Sequence, residues 1–114
     1  MILSFGWTTD DFLAGRKTLT HRDWKPRTLA SWQKAWDEGR LIHDAVDKQL
    51  CWGGKRIAKI KLTARPWEEW LHEMTEADVQ AEGGQWATVQ EYIEFMHGDR
   101  LMAAVRFEKV EVTR

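Results

Sequence analysis

The sequence contains few of the features that cross-link very small proteins or anchor a chain in a membrane. Its 114 residues include one cysteine, Cys51, which excludes an intramolecular disulfide and a multi-cysteine zinc site. No apolar run approaches the roughly 18 residues of a membrane-spanning helix, and residues 1–4 do not resemble a signal peptide. We therefore expect one domain over residues 1–114, a cytoplasmic location and no contact with a membrane.

An excess of charge of one sign is also missing. Lysine and arginine total 17 and aspartate and glutamate 18, so the formal net charge is −1. Strong nonspecific binding to duplex DNA or long RNA requires a basic surface that releases counterions. The balance favours a small-molecule partner over RNA, which stays possible, and we expect a monomer or a weak dimer.

Tryptophan is abundant, with eight residues in this short chain. Two pairs have helical spacing and are expected to pack inward, namely Trp32 with Trp36 and Trp67 with Trp70. The other four fall beside glycine or in polar loops, and these are Trp7, Trp24, Trp52 and Trp86. In such positions a flat ring can stack on a planar ligand.

The apolar pattern predicts four or five short strands interleaved with helices. Strands are predicted over residues 2–5, 15–23, 41–46, 55–63 and 101–112. Helices are predicted from Thr8 or Thr9 to Gly15, over 28–38, as a short turn over 66–71, after the N-cap Thr75, and over 88–97. Because the connections are too irregular for repeated crossover units, we expect a small, bent mixed sheet or barrel with helices outside.

One segment, residues 15–23, concentrates reactive side chains on a short extended run. Gly15 is expected to cap the preceding helix, so the chain enters this strand in a fixed direction. Strand alternation predicts Lys17, Leu19 and His21 on one face and Thr18, Thr20 and Arg22 on the other. Polar residues held in this way can be positioned accurately for chemistry or recognition.

The order of these features resembles the ASCH domains, a branch of the PUA-like β-barrel folds, and among them the small N4-acetylcytidine amidohydrolases. The matching pieces are the run Phe-Leu-Ala-Gly-Arg-Lys-Thr-Leu-Thr-His-Arg-Asp at 12–23 and Ala-Glu-Gly at 81–83. The resemblance implies an α+β fold, a PUA-like (ASCH) small mixed β-barrel with helices packed on its outside. His21 departs from the pattern because the family has a typically apolar residue there, and the tryptophan-rich segment 24–52 is longer than the family's shortest form.

The resemblance also implies an activity and a site. It implies hydrolysis of the N4-acyl amide of N4-acetylcytidine, or of related N4-acylated cytosines, to cytidine and a carboxylic acid. The catalytic trio would be Lys17, Thr20 and Glu82, without a metal or other cofactor, and the substrate-binding residues would be Phe5, Trp7, Arg22 and Trp24. Arg22 would hold the pyrimidine carbonyl or the acyl oxygen, or it would form a structural ion pair with Asp23 or Glu82.

The residues alone leave the general base open. An unperturbed lysine has a pKa of about 10.4, and half-neutrality near pH 7.4 requires burial worth about 4 kcal/mol. In one assignment neutral Lys17 deprotonates Thr20, and Glu82 passes a proton to the cytosine amine. In the other assignment Glu82 is the base and charged Lys17 stabilises the oxyanion. The resemblance favours the first.

Two other functions compete with this activity. A non-catalytic module of the PUA-like class would bind RNA or a modified base in the same cleft, and a ribonuclease would use the same three side chains on a phosphodiester. A zinc deaminase is disfavoured because the sequence lacks the His-x-Glu and Cys-x-x-Cys motifs. The four histidines are instead expected to be surface or hydrogen-bonding residues, and they are His21, His43, His72 and His97.

Overall fold

The longest strand of the protein holds its sheet together. The computed structural model describes residues 1–112. Its strands are β1 (Ile2–Ser4), β2 (Leu19–Arg22), β3 (Ile42–Val46), β4 (Arg56–Leu62), β5 (Trp67–Trp70) and β6 (Leu101–Val112). Strand β6 pairs antiparallel with β2, β4 and β5, β3 pairs antiparallel with β4, and β1 pairs parallel with β3. The order is therefore β1-β3-β4-β6-β2, with β5 also against β6.

The helices are short, and Thr75 and Thr88 cap two of them through their side chains, whereas the hydroxyl of Thr8 donates to the backbone oxygen of Phe5 instead. They are α1 (Thr9–Leu13), α2 (Pro26–Asp37), α3 (Glu76–Ala81) and α4 (Val89–Phe95), joined by 3-10 turns at Gly6–Thr8, Leu50–Trp52 and Leu71–Glu73. Helix α3 begins at the predicted N-cap Thr75, in a capping box: Thr75 Oγ1 accepts from the Asp78 amide at 3.1 Å, and Asp78 accepts from the Thr75 amide at 3.0 Å. None of the helices within residues 1–112 is long and apolar enough to cross a membrane.

Two apolar clusters fix the helices on the sheet. In the first, Phe5 stacks on Phe12 with ring centroids 4.1 Å apart, and Phe107 packs edge-on against Phe5. The second cluster contains Leu71, Met74, Val79, Tyr92 and Met102. Burying such side chains stabilises the fold by about 1.5–3 kcal/mol each relative to exposure. The second cluster therefore anchors α3 and α4 beside the first half of β6.

The helical turn predicted over residues 66–71 is wrong. The chain forms strand β5 there, and Trp67 and Glu69 face inward while Glu68 and Trp70 are exposed. Spacing of three residues fits a helix, but β6 offers unpaired backbone groups on this side, and pairing with them satisfies the segment as a strand. Trp67 and Trp70 therefore do not form the inward-packed pair that the spacing predicted.

The mixed α+β class is confirmed, but the sheet is open. Strands β1 and β2 end the strand order, and no backbone pairing joins them among residues 1–112, so the predicted closure into a barrel is not observed. A side chain spans the gap instead: Arg22 donates from its guanidinium to the backbone oxygen of Ser4 at 2.5 Å. The opening between these two strands is where the candidate site lies.

Candidate functional site

A cavity of about 260 Å³ lies between the end of β1, the edge strand β2 and helix α4. Six polar side chains, called the polar cluster below, line its inner part: Lys17, Thr20, His21, Arg22, Glu82 and Tyr92. Three aromatic side chains, called the aromatic cluster, line its outer part: Trp7, Trp86 and Phe95. The cavity thus combines convergent polar groups with flat apolar surfaces, as small-molecule sites do.

Lys17 and Glu82 meet in the most buried part of the polar cluster. The Lys17 side chain is 5% exposed and that of Glu82 is 2% exposed, and Nζ lies 2.7 Å from Oε2. Nζ also donates to the backbone oxygen of Glu82 at 3.0 Å. Glu82 is the C-cap residue that follows α3, and its backbone forms an isolated β-bridge with Lys17. The capped helix therefore delivers the carboxylate directly to the lysine.

Asp11 holds the two segments of this bridge in place. Its backbone oxygen accepts from the amides of Arg16 and Lys17 at 2.9 and 3.2 Å, and its carboxylate accepts from the side chains of Arg16 and Gln85. Gly83 follows Glu82 with φ of 138°, and a Cβ built there would lie 3.1 Å from the Asp11 carboxylate. A glycine is needed at this position because the backbone approaches Asp11 closely in a conformation that other residues rarely adopt.

Thr20 lies in the same cavity and is bound by Arg22. Its Oγ1 accepts from Arg22 Nε at 3.1 Å, and the two residues are neighbours on one face of β2. Within the described part of the chain Arg22 forms no ion pair with Asp23 or Glu82, the structural alternative considered for it. Its guanidinium carbon instead lies 5.8 Å from the centroid of Phe5. A cation beside the hydroxyl oxygen favours any negative charge that develops there.

The prediction that Lys17 and Thr20 lie on opposite faces of one strand does not describe their arrangement. Strand β2 begins only at Leu19, and Lys17 precedes it in the bridge to Glu82. Both side chains line the cavity because it lies at the free edge of β2, where either face can reach it. Over residues 1–112 there is no hydrogen bond between these two side chains, so a transferred proton needs a bridging water or a small rearrangement.

His21 is a central member of the site that the sequence did not identify as functional. Its side chain is 0% exposed; Nδ1 contacts Glu82 Oε1, and Nε2 lies 2.8 Å from Glu69 Oε1. Glu69 was also missed because residues 66–71 were read as a helical turn. A signal for His21 was present, since alternation puts it on the face of Leu19, which is fully buried.

Tyr92, on α4, is another member of the site that the sequence did not identify as functional. It is buried, lines the cavity and lies with its ring centroid 6.2 Å from that of His21. Burial, and then the negative charge of Glu82, raise the pKa of Tyr92, so its phenol stays neutral. The phenol therefore adds a neutral hydrogen-bonding group to the charged cluster.

The ionisation of the polar cluster follows from burial and from its charge pairs. Burial lowers the pKa of Lys17, and contact with Glu82 offsets this only partly. Burial acts to raise the pKa of Glu82, but the hydrogen bond from His21 and the charge of Lys17 outweigh it and lower the pKa. Burial also acts against a charge on His21, yet Glu69 and Glu82 together raise its pKa to about 9. Glu82 is therefore ionised, and burial brings the Lys17 amine closer to losing its proton than an exposed lysine.

The aromatic cluster forms an exposed wall of the cavity. Trp7 is 63% exposed, and its ring lies edge-on to Trp86 at 6.1 Å and tilted against Phe95 at 5.5 Å. Trp86 and Phe95 are themselves 4.9 Å apart. Trp7 is thus the predicted substrate-binding aromatic residue whose ring is most available to a ligand.

Two other predicted substrate-binding residues are differently placed. Phe5 lines the cavity, but it is buried and stacks on Phe12, so it belongs mainly to the core. Trp24 lies outside the cavity because it stacks on Trp32 with centroids 5.4 Å apart, and it lines a separate cavity of about 350 Å³. Among residues 1–112, no three histidine, cysteine, aspartate or glutamate side chains are grouped so that they could hold a metal ion.

Comparison with known proteins places the fold but not the activity. No protein-family model matches the chain, and no curated protein matches it. A solved structure that is similar is that of protein EF3133 from Enterococcus faecalis V583, described as a DUF984 protein. The TM-score is 0.59 at 19% identity, covering 97% of this chain and 76% of that one. The likeness shows that this chain shares its α+β fold with that protein.

Proposed function

We propose that the protein is a PUA-like (ASCH) amidohydrolase that cleaves the N4-acyl amide of N4-acetylcytidine or related N4-acylated cytosines. The observation that carries the proposal is the contact of Lys17 with Glu82 at 2.7 Å, deep in a cavity that Thr20 also lines. Lys17 and Glu82 are 65 positions apart, and with Thr20 they are the trio that the family resemblance names. A cytoplasmic location and a monomer or weak dimer belong to the same proposal.

Stability alone does not readily explain why a lysine–carboxylate pair is buried. Removing two charges from water costs several kcal/mol per ion, and apolar replacements are often at least as stable. Buried titratable groups that line a cavity are therefore more readily explained by chemistry, where their protonation is used. The open cavity beside Lys17 and Glu82 gives such chemistry a place to occur.

In the proposed first step, neutral Lys17 accepts the hydroxyl proton of Thr20. Thr20 Oγ1 bonds to the acyl carbon, and the carbon–nitrogen bond of the amide breaks. Lys17, now protonated, passes a proton to Glu82 across the 2.7 Å contact, and the departing cytosine nitrogen takes that proton from Glu82. Arg22 Nε, 3.1 Å from Thr20 Oγ1, stabilises negative charge on that oxygen.

In the second step water cleaves the ester. The water oxygen bonds to the acyl carbon, one of its protons returns to Thr20 through Lys17, and the carboxylic acid leaves. The alternative in which Glu82 is the base is less well supported, because contacts with His21 and Lys17 lower the pKa of Glu82. A carboxylate stabilised in this way is a weaker base than an amine whose pKa burial has lowered.

The cavity suits one acylated pyrimidine. Its volume of about 260 Å³ lies just below the roughly 300–1,000 Å³ of pockets for drug-sized ligands. The aromatic cluster offers flat apolar surface to a base, and the polar cluster offers donors to its carbonyl groups. The near-zero net charge further favours a nucleoside or base over long RNA.

Release of free acid from N4-acetylcytidine tests the proposal directly. The wild-type protein is expected to release acetate, and Thr20→Ala and Glu82→Gln are expected to lose activity while staying folded. Thr18→Ala is the matched control, because Thr18 lies beside the same strand but does not line the cavity. If wild-type protein released neither acetate from N4-acetylcytidine nor the corresponding acid from other N4-acylated cytosines, the proposal would be rejected.

The exposed ring of Trp7 gives one specific reason to keep a binding function as a second candidate. A base stacked on an exposed aromatic side chain can be held without chemistry, as in modules that bind single-stranded RNA. Saturable binding of acetylcytidine or RNA without acid release would favour that module. Cleavage of RNA in the same assay would favour the ribonuclease.

A further inference from the structure

The His21 ring lies between two carboxylates and makes no contact with solvent. Its side chain is 0% exposed, Nδ1 contacts Glu82 Oε1, and Nε2 lies 2.8 Å from Glu69 Oε1. Glu69 reaches it from β5, on the opposite side of β6 from β2. This contact is possible because Ala104, directly opposite both His21 and Trp67, has a small side chain that leaves room above β6.

The hydrogen-bonding capacity of imidazole determines the charge of this group. A neutral imidazole has one N–H, whereas both nitrogens of His21 face a carboxylate oxygen that can only accept. Both nitrogens must therefore donate, or one carboxyl group must be protonated. His21 lowers the pKa of Glu69 and of Glu82 against the effect of their burial, which keeps both ionised. His21 is thus an imidazolium between two carboxylates.

We propose that Glu69 and His21 form a positioning pair that neutralises the Glu82 carboxylate, so that Lys17 can lose its proton and act on Thr20. The pair does not contact substrate; it acts through Glu82. This inference rests on the proposed function for its catalytic meaning, but the effect on the protonation of Lys17 can be measured without any substrate.

A count of the charges around Lys17 explains the effect. Glu69 and Glu82 supply two negative charges, and His21 supplies one positive charge. With His21 present, Glu82 already has a cationic partner, and Lys17 need not stay protonated to compensate it. Without His21, the buried Glu82 has Lys17 as its remaining close cation, which favours the ammonium form.

Other charged and titratable groups face these residues from the surrounding elements. Those that act on Lys17 besides Glu82 are Arg22 on β2 and Asp11 on α1, and those that face His21 are Glu69, Glu82 and Tyr92. Arg22 favours the neutral amine and Asp11 the ammonium. Arg22, Asp11 and Tyr92 stay in place when Glu69 or His21 is replaced, so the replacement isolates the contribution of the pair.

The test is an NMR titration of lysines labelled with ¹³C at Cε and ¹⁵N at Nζ, with Lys17 assigned by its loss in Lys17→Arg. We expect the apparent pKa of Lys17 to rise by about one unit in His21→Phe, because Glu82 is then left with Lys17 as its close cation. In Glu69→Gln the lost negative charge by itself would lower the pKa of Lys17. We nevertheless expect a rise of up to about one unit, because His21, left with one carboxylate partner, loses its second proton and no longer neutralises Glu82. Glu68→Gln is the matched control, because it removes the same charge from the exposed face of the same strand. The Glu68→Gln substitution should leave the apparent pKa of Lys17 unchanged.

The pH profile of kcat/KM gives the second readout. Its rising limb should move upward by the same amount, with about a tenfold loss below the limb and recovery at high pH. An unchanged Lys17 titration in a folded Glu69→Gln protein would overturn the inference, even if activity fell, because that is the behaviour of a merely structural pair. If His21→Phe does not fold, Glu69→Gln decides alone.

The titration also separates this inference from the proposed function. A wild-type protein that releases no acid but shows the shift of Lys17 in Glu69→Gln would reject the amidohydrolase and keep the coupling. An active wild-type protein in which the pKa of Lys17 is unaffected by Glu69→Gln and His21→Phe would keep the amidohydrolase and reject the coupling.

Discussion

Lys17 is bound twice by Glu82, through the side-chain Oε2 at 2.7 Å and through the backbone oxygen at 3.0 Å. A lysine side chain ordinarily has several rotamers, and two acceptors on one residue remove that freedom. The hydrogen bonds to these two acceptors also occupy two of the three positions around the Lys17 side-chain nitrogen. The remaining position holds a proton in the ammonium form and a lone pair in the neutral form, and that difference separates an oxyanion partner from a base.

Lys17→Arg is expected to be as inactive as Lys17→Ala. Arginine keeps the positive charge but stays protonated at any accessible pH, so it can partly replace an electrostatic partner and cannot replace a base. Steady-state acid release by both variants makes the comparison. For wild type, kcat/KM should rise with pH through an apparent pKa below that of free lysine, since burial lowers the pKa of Lys17. Substantial activity of Lys17→Arg with a flat profile from about pH 6 to 9 would assign the base to Glu82.

Thr20→Ala is expected to lower kcat by at least roughly a hundredfold, because it removes the nucleophile and with it a transition-state interaction. Circular dichroism should show an intact fold, since the hydroxyl bonds only a side chain, that of Arg22. Thr18→Ala should retain wild-type rates. Turnover by Thr20→Ala close to wild type would remove Thr20 from the mechanism.

Trp7→Ala is expected to raise KM by about tenfold with kcat changed little, because base stacking on an aromatic ring contributes about 1–3 kcal/mol. Trp52→Ala is the control, since Trp52 is even more exposed, at 74%, and lies outside the cavity. Steady-state kinetics with acetylcytidine separate the two parameters. Equal KM values for Trp7→Ala and wild type would exclude stacking on this ring.

The raised pKa of His21 has a consequence for stability. Its pKa is about 9 in the folded protein and about 6.5 when unfolded, so its stabilising contribution is complete below pH 6.5 and disappears as pH rises through 9. The difference corresponds to roughly 3 kcal/mol. The contribution of Lys17 to stability changes with pH in the opposite direction, because the pKa of Lys17 is lowered in the folded protein.

A Lys17→Met background removes that opposing titration. In it, we expect the free energy of unfolding lost through His21→Phe to be largest near pH 6.5 and to shrink towards pH 9, measured by urea denaturation. A loss that does not vary with pH would mean that His21 contributes packing and not charge.

Local signals predicted helix α3, which precedes Glu82, and strand β6, with which β2 pairs. The capping box at Thr75 and Asp78 fixed the start of α3, and therefore the position of Glu82 one residue after its end. The predicted last strand, 101–112, coincides with β6. Both predictions succeeded because hydrogen bonds and apolar alternation within a few residues determine these structures.

The remaining parts of the site depend on contacts between distant segments. Glu69 acquires its role only because β5 pairs with β6 across from β2, and no pattern within residues 66–71 indicates that pairing. His21 and Glu69 are 48 positions apart, and Glu82 is 61 from His21. The alternation of residues in a sequence can indicate that a histidine will be buried. It does not indicate which carboxylates will surround that histidine.

The hydrogen bond from Arg22 to Ser4 sets the distance between β1 and β2, and a substitution can change this distance. Closed sheets fix the distance between neighbouring strands at about 4.8 Å through a ladder of backbone bonds. Here a single guanidinium joins β1 to β2, so a shorter or longer residue at position 22 can change the width of the opening without unpairing any strand. The size of the molecules that the opening could admit can therefore be changed by a substitution at position 22 while the sheet and its core stay unaltered.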